Sequence, residues 1–111
     1  MSSTSYKVPA HIKKYVKVEL YNFNKTKKLI ETMKNSKLVP THSLLIAERK
    51  ILQIQAVLDR LNKDQRDIAE IIFFKHYSQA KAELEEYISY DSYYWTMNKV
   101  IYLVAEEMDL I

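Results

Sequence analysis

Apolar residues recur along most of this chain at intervals of three and four, the period of a helix face and not of a strand. Ile12, Tyr15, Val16, Leu20, Phe23, Ile30 and Met33 form one such stripe, which predicts a helix from about Pro9 to Met33. Pro9 suits the first turn, where a helix start leaves the N–H unused in any case. Asn22-Phe23-Asn24 is a weak point at which that helix is expected to kink or break. Met1 to Val8 reads as a loose leader. Asn35 to Pro40 reads as a connector, because Pro40 disfavours helix at Val39. A second helix follows, capped by Thr41 or Ser43, with Leu44, Ala47, Ile51, Ile54, Leu58 and Leu61 near heptad spacing. That stripe can be buried by the first helix or by its copy in a second subunit.

Three shorter helices are expected after Leu61. Asn62 is a suitable cap for the first, with Asp64 and Asp67 near its positive end and Ile68, Ile71, Ile72, Phe74 and Tyr77 on its inner side. Ser78 can cap the next, Gln79 to Tyr87. Ser89 can cap the last, which points Tyr93, Met97, Val100, Leu103 or Val104, and Met108 inward. The fold class is therefore all-α, about five helices, two longer amphipathic ones followed by three that end in a helix-turn-helix. Residues 1–40 form a basic leader and helix and 41–111 a helical unit, together one compact domain.

Composition sharpens this picture. The 111 residues contain no glycine, and most sheet hairpins need one for a positive φ, which argues against a turn-rich β fold. The same absence rules out a glycine-rich phosphate loop or dinucleotide fingerprint. There is no cysteine, which excludes disulfides and thiol chemistry. No apolar run approaches the roughly 20 residues that span a bilayer, and the N-terminus lacks the apolar region of a signal peptide. A soluble cytoplasmic protein is the expectation. His11, His42 and His76 lie far apart with no second ligand at helical spacing, so no metal site is expected. Nothing supports an enzyme or a cofactor.

Charge is unevenly spread. Up to Pro40 there are nine lysines against Glu19 and Glu31, a balance of +7, so the net +3 leaves −4 for the rest. A basic arm of this kind suits nucleic acid or an acidic protein surface. Lys13, Lys14, Lys17, Lys27 and Lys28 are the candidate phosphate contacts.

The pair of helices around Ile88-Ser89 has the grammar of a helix-turn-helix, whose last helix enters a DNA groove. On that reading Tyr90, Asp91, Tyr94, Trp95 and Asn98 lie outward, with Ser92 and Lys99 at the margins. Together with Ser89 and Lys81 they are the candidate DNA contacts. Asp91 can accept from a cytosine amino group, or act only as a partner of the helix dipole. The cluster Tyr90, Tyr93, Tyr94 and Trp95 could stack on splayed bases or form a protein-binding hot spot, with Tyr93 expected in the core.

Several runs carry a resemblance to a known family. They are Glu48-Arg49-Lys50-Ile51-Leu52, Leu61-Asn62-Lys63-Asp64-Gln65-Arg66, Phe73-Phe74-Lys75-His76-Tyr77-Ser78, Ile88-Ser89-Tyr90-Asp91-Ser92-Tyr93-Tyr94 and Lys99-Val100-Ile101-Tyr102-Leu103-Val104-Ala105-Glu106-Glu107. In order and spacing they resemble phage-encoded transcriptional regulators of the ArpU and RinA type, whose pattern is related to region four of sigma factors. The match covers about the C-terminal two thirds of the chain. It implies a phage or prophage setting, double-stranded DNA as partner, contact with RNA polymerase or another protein, and a transcriptional role. Family members usually carry Arg or Lys at positions matching Tyr90, Asp91, Trp95 and Met97, and small or apolar residues at those matching Glu83 and Glu86. From Ser78 to Asp91 this chain has one basic and four acidic residues, a balance of −3. That departure opens a second expectation, a helical adaptor that kept the fold and lost DNA binding. A homodimer is compatible with either.

Overall fold

A computed structural model describes residues 6–36 and 41–111, which contain helices and no strand. The helices are α1 Ala10–Tyr21, α2 Phe23–Asn35, α3 His42–Arg60, α4 Lys63–Ala69, α5 Gln79–Glu86 and α6 Tyr90–Glu107. α4 runs on without a break into π-helical turns over Glu70–Phe74, where the Lys75 N–H donates five residues back to the Glu70 carbonyl at 2.9 Å. The described residues thus form six α-helices where the periodicity predicts five. The extra one arises at Asn22, which leaves helical geometry (φ −96°, ψ 5°) and splits the long first helix in two. This is the weak point of the sequence.

The split redirects the apolar stripe. Val16 and Leu20 of α1 are buried toward α6 and the end of α4, whereas α2 packs on α3 through Ile30, with Leu44 buried on the α3 side. Phe23 at the joint stacks on Phe74 at 5.1 Å. The connector predicted from Asn35 begins one residue later than expected, since Asn35 is still helical; Lys37 to Pro40 lie outside the described residues.

Each start has a chemical cause. Thr41, not Ser43, caps α3 by accepting the Leu44 N–H at 3.1 Å. Asn62 accepts the Gln65 N–H at 2.8 Å, and the Gln65 side chain returns the bond to the Asn62 N–H, a reciprocal box. Ser78 and Ser89 cap α5 and α6 in the same manner. Three ends use a non-glycine residue at positive φ: His76, Tyr87 and Asp109. In a chain without glycine these residues accept the left-handed strain, and the N–H that follows satisfies an orphan carbonyl. At α5 that bond runs from Ile88 to Ala82 at 3.2 Å, and it plants Ile88 in the core.

α6 is the central rod. It touches α1, α3, α4 and α5, and Tyr93, Thr96, Met97, Val100, Ile101, Val104 and Ala105 are all buried. Val104, not Leu103, takes the deep inner position, while Leu103 and Met108 are half-buried. Phe73, absent from the predicted inner face of its helix, is fully buried beside Ile72; Ile68, Ile71, Phe74 and Tyr77 are only partly covered. Ion pairs fasten the periphery: Lys50 to Glu19 (α3 to α1, 3.2 Å), Lys34 to Glu48 (α2 to α3, 3.2 Å) and Arg60 to Glu107 (α3 to α6, 3.3 Å). Such exposed or half-exposed pairs contribute about 0–1 kcal/mol each, so the apolar core dominates. The radius of gyration is 15.1 Å, against about 13 Å for a compact chain of this length. The extents are 47 by 31 by 23 Å, and Ile30 and Leu44, where α2 meets the start of α3, are buried outside the main core cluster, so these two segments form a side arm.

Candidate nucleic-acid interface

The candidate site is built on α5, the Tyr87-Ile88-Ser89 link and the first turns of α6. Tyr87 ends α5 in left-handed geometry (φ 58°), Ile88 is buried, and the first residues of α6 lie at the surface. Ser89 then accepts the Ser92 N–H at 3.1 Å. Tyr90, Asp91, Ser92 and Tyr94 are exposed, and the Tyr90 and Tyr94 rings meet at 4.7 Å. Tyr93 turns inward as expected. Its hydroxyl donates to the Tyr77 carbonyl at 2.6 Å, which ties α6 to the turn before α5. Burial raises the Tyr93 hydroxyl above the usual tyrosine range, with neighbouring Tyr21 and Tyr94 adding to it. Burial likewise raises Tyr21, which stacks on His76 at 5.4 Å.

The rest of the predicted outward face is covered. Trp95, Asn98 and Lys99 are half-buried, and no side chain from Trp95 to Ala105 is fully exposed. The cover on Trp95 and Asn98 is the leader. Tyr6 sets its ring edge-on against Trp95 (5.7 Å) and Tyr102 (5.5 Å), and Val8 packs on the core. The leader is therefore not loose over Tyr6–Val8; Met1 to Ser5 lie outside the described residues. The sequence signal that could have shown this is the pair Tyr6 and Val8, apolar and aromatic just before the first helix.

Charge falls differently on the two flanks of α6. On one side Lys7 and Lys13 line a hollow of about 270 Å³ with Tyr6, Asn98 and Ile101. On the other, Asp64 and Asp91 border a hollow that holds Ser92 and Trp95. Lys99 is drawn to this second side: its ammonium donates to Gln65 at 3.2 Å and lies over the Trp95 ring at 5.1 Å. Lys81 is exposed and sits over the Tyr77 ring at 4.3 Å, close in sequence to exposed Lys75 and His76. Lys14, Lys27 and Lys28 are exposed and Lys17 is half-buried. Lys27 and Lys28 belong to the α2 arm, where they line an open hollow with Asn24 and Lys25, apart from α6. The structure thus gathers Ser89 to Ser92 and Tyr94 at one surface, sets Lys7 and Lys13 beside Asn98, and leaves the α2 lysines elsewhere. Sequence reasoning missed Lys7, whose place depends on the leader.

Among the described residues no three His, Cys, Asp or Glu side chains could hold a metal ion, and no helix is long and apolar enough to cross a membrane. In comparison with known proteins, the chain matches no family model, no curated protein and no solved structure.

Proposed function

We propose that the chain is a phage-type transcriptional regulator that binds duplex DNA with the first turns of α6, as the second helix of a helix-turn-helix. The observation that carries this reading is the free, serine-capped start of α6 next to a basic flank. Tyr90, Ser92 and Tyr94 are exposed there, and Lys7 and Lys13 converge on Asn98 one to two turns further along. A short helix joined by three residues to a capped longer helix is the order of elements with which such units place a helix N-terminus against base edges. The order of motifs shared with the ArpU and RinA type supports the same reading.

In this scheme Tyr90, Ser92 and Tyr94 meet bases and sugars, and Asn98 reaches the groove wall. Lys13, with Lys81 on α5, neutralises phosphates; Lys14 and Lys17 extend the contact along α1, and Lys27 and Lys28 add loose, non-specific attraction. Asp91 accepts from a cytosine amino group or steadies the helix start. The test is a gel shift at low salt on a pool of random duplexes: Tyr90→Ala and Asn98→Ala each weaken binding several-fold, and a wild-type chain that shifts nothing refutes the reading.

A second reading, a protein-binding adaptor, has its own observation. Leu84 and Tyr87 are 79% and 91% exposed, next to Glu83, Glu85 and Glu86. Apolar and aromatic side chains rimmed by acids fit a basic protein surface better than a polyanion. It predicts a partner whose binding is lost on Tyr87→Ala, with no duplex affinity.

A further inference from the structure

α3 carries a stripe that no other described helix covers. α1 and α6 hold two sides of it, through Lys50–Glu19 and through Gln53 and Arg60 on Glu107; α2 holds a third through Lys34–Glu48. The side left over presents Leu45, Arg49, Leu52, Ala56 and Asp59, all exposed, with Leu45 at 57% and Leu52 at 69%; Leu52 stands at the edge of the hollow toward α2, and Arg49 at the edge of the one beside Tyr15. Their spacings alternate four, three, four, three. That is the seam period of a two-stranded coiled coil, a second one on a helix whose inner stripe is already used by the core. The stripe extends over about 21 Å of straight helix.

The order of residues along the seam says what would cover it. Parallel pairing with another α3 sets Arg49 against Arg49 and Asp59 against Asp59, two like-charge clashes. Antiparallel pairing about a two-fold axis level with Ile54 sets Arg49 of each copy opposite Asp59 of the other. The same register sets Leu52 of each copy opposite Ala56 of the other, a large side chain against a small one. From Arg49 to Asp59 the stripe is thus self-complementary in charge and in size, as an isologous two-fold contact requires, and Leu45 lies beyond the paired span.

We infer that the chain self-associates through α3, antiparallel, in this register. The claim is independent of the DNA reading, since α3 lies outside the surface assigned to DNA. A contact of one helix per copy falls at the small end of specific interfaces, so the dimer is weak and concentration-dependent, with Kd in the micromolar range.

Sedimentation velocity on the full chain, from about 1 to 500 μM, tests it. The mass is expected to rise from one chain to two across that range. Leu52→Glu moves the midpoint up at least tenfold, and because the side chain is exposed its circular dichroism and melting stay those of the wild type. Arg49→Asp and Asp59→Arg each weaken the dimer about tenfold, and the double variant restores it to within a few-fold. One mass at every concentration overturns the inference. So does a dimer indifferent to Leu52→Glu, or a double variant no better than the singles.

Discussion

Tyr6 offers the sharpest perturbation, because it alone among the described leader residues sets a ring against α6. Replacing it with alanine removes two edge-to-face contacts, to Trp95 at 5.7 Å and to Tyr102 at 5.5 Å. Each is worth about 0.5–1.5 kcal/mol beyond simple burial, so the pair contributes about 1–3 kcal/mol. Releasing the leader returns about 1–2 kcal/mol of backbone entropy per freed residue, which offsets much of that. The net expectation is a loss of about 1 kcal/mol and a Tm lower by roughly 4–6 °C. Trp95 is the chain's one tryptophan, so its fluorescence reads the contact without labels. Tyr6→Ala shifts the emission to the red, as water reaches the indole, at temperatures where the far-UV circular dichroism is still native. Tyr6→Phe, which keeps the ring, leaves both emission and Tm at wild-type values. An unshifted emission in Tyr6→Ala, with Tm unchanged, would refute the claim that the leader covers α6.

Two further outcomes follow from the same geometry. Asn62→Ala removes the bond that its side chain accepts from the Gln65 N–H and leaves the return bond from its own backbone N–H to the Gln65 side chain. It lowers stability by about 1 kcal/mol in urea melts, whereas Asn62→Gly costs only a few tenths; equal losses would count against the capping account. Stability should also fall as pH rises through and above about 10, the ordinary tyrosine value. Tyr21 and Tyr93 are raised in the folded state, so the unfolded chain releases those protons first. Their contribution is complete below the unfolded value and is lost as pH passes through the folded one. Tyr21→Phe flattens that alkaline limb, measured as melting temperature against pH, and an unchanged limb would remove burial of the hydroxyl as its cause.

Much of the fold could be read from local chemistry. The helix starts at Thr41, Asn62, Ser78 and Ser89 are side-chain caps, and a cap is a local event that depends on residues three apart. Much of the inner faces of α3 and α6 was legible for the same reason, as period is a local property, but Val57, Thr96, Ile101 and Ala105 are buried outside the predicted stripes. What escaped was set by contacts distant in sequence. Leu45 and Leu52 look like any apolar residues of a heptad stripe, and only the packing of α1, α2 and α6 tells which side stays uncovered. Phe73 and Phe74 cannot be sorted by a 3.6-residue period once the helix widens to π turns. Of the candidate site, the first turn of α6 was legible through its serine cap. The covering of Trp95 and Asn98 was not, since it depends on Tyr6, nearly ninety residues earlier. The inward turn of Lys99 depends likewise on Gln65 and the Trp95 ring.

The proposal that α6 meets DNA is tested most directly by the salt dependence of duplex binding, followed by fluorescence anisotropy. Lys13, Lys14 and Lys17, with Lys81, provide about four phosphate contacts, which gives a slope of log K against log salt of roughly −3.6. Lys13→Ala with Lys81→Ala reduces the steepness by about 2, while Tyr90→Ala weakens binding and leaves the slope unchanged. A chain that binds no duplex even at about 20 mM salt, or a slope that the double lysine variant does not alter, contradicts the account.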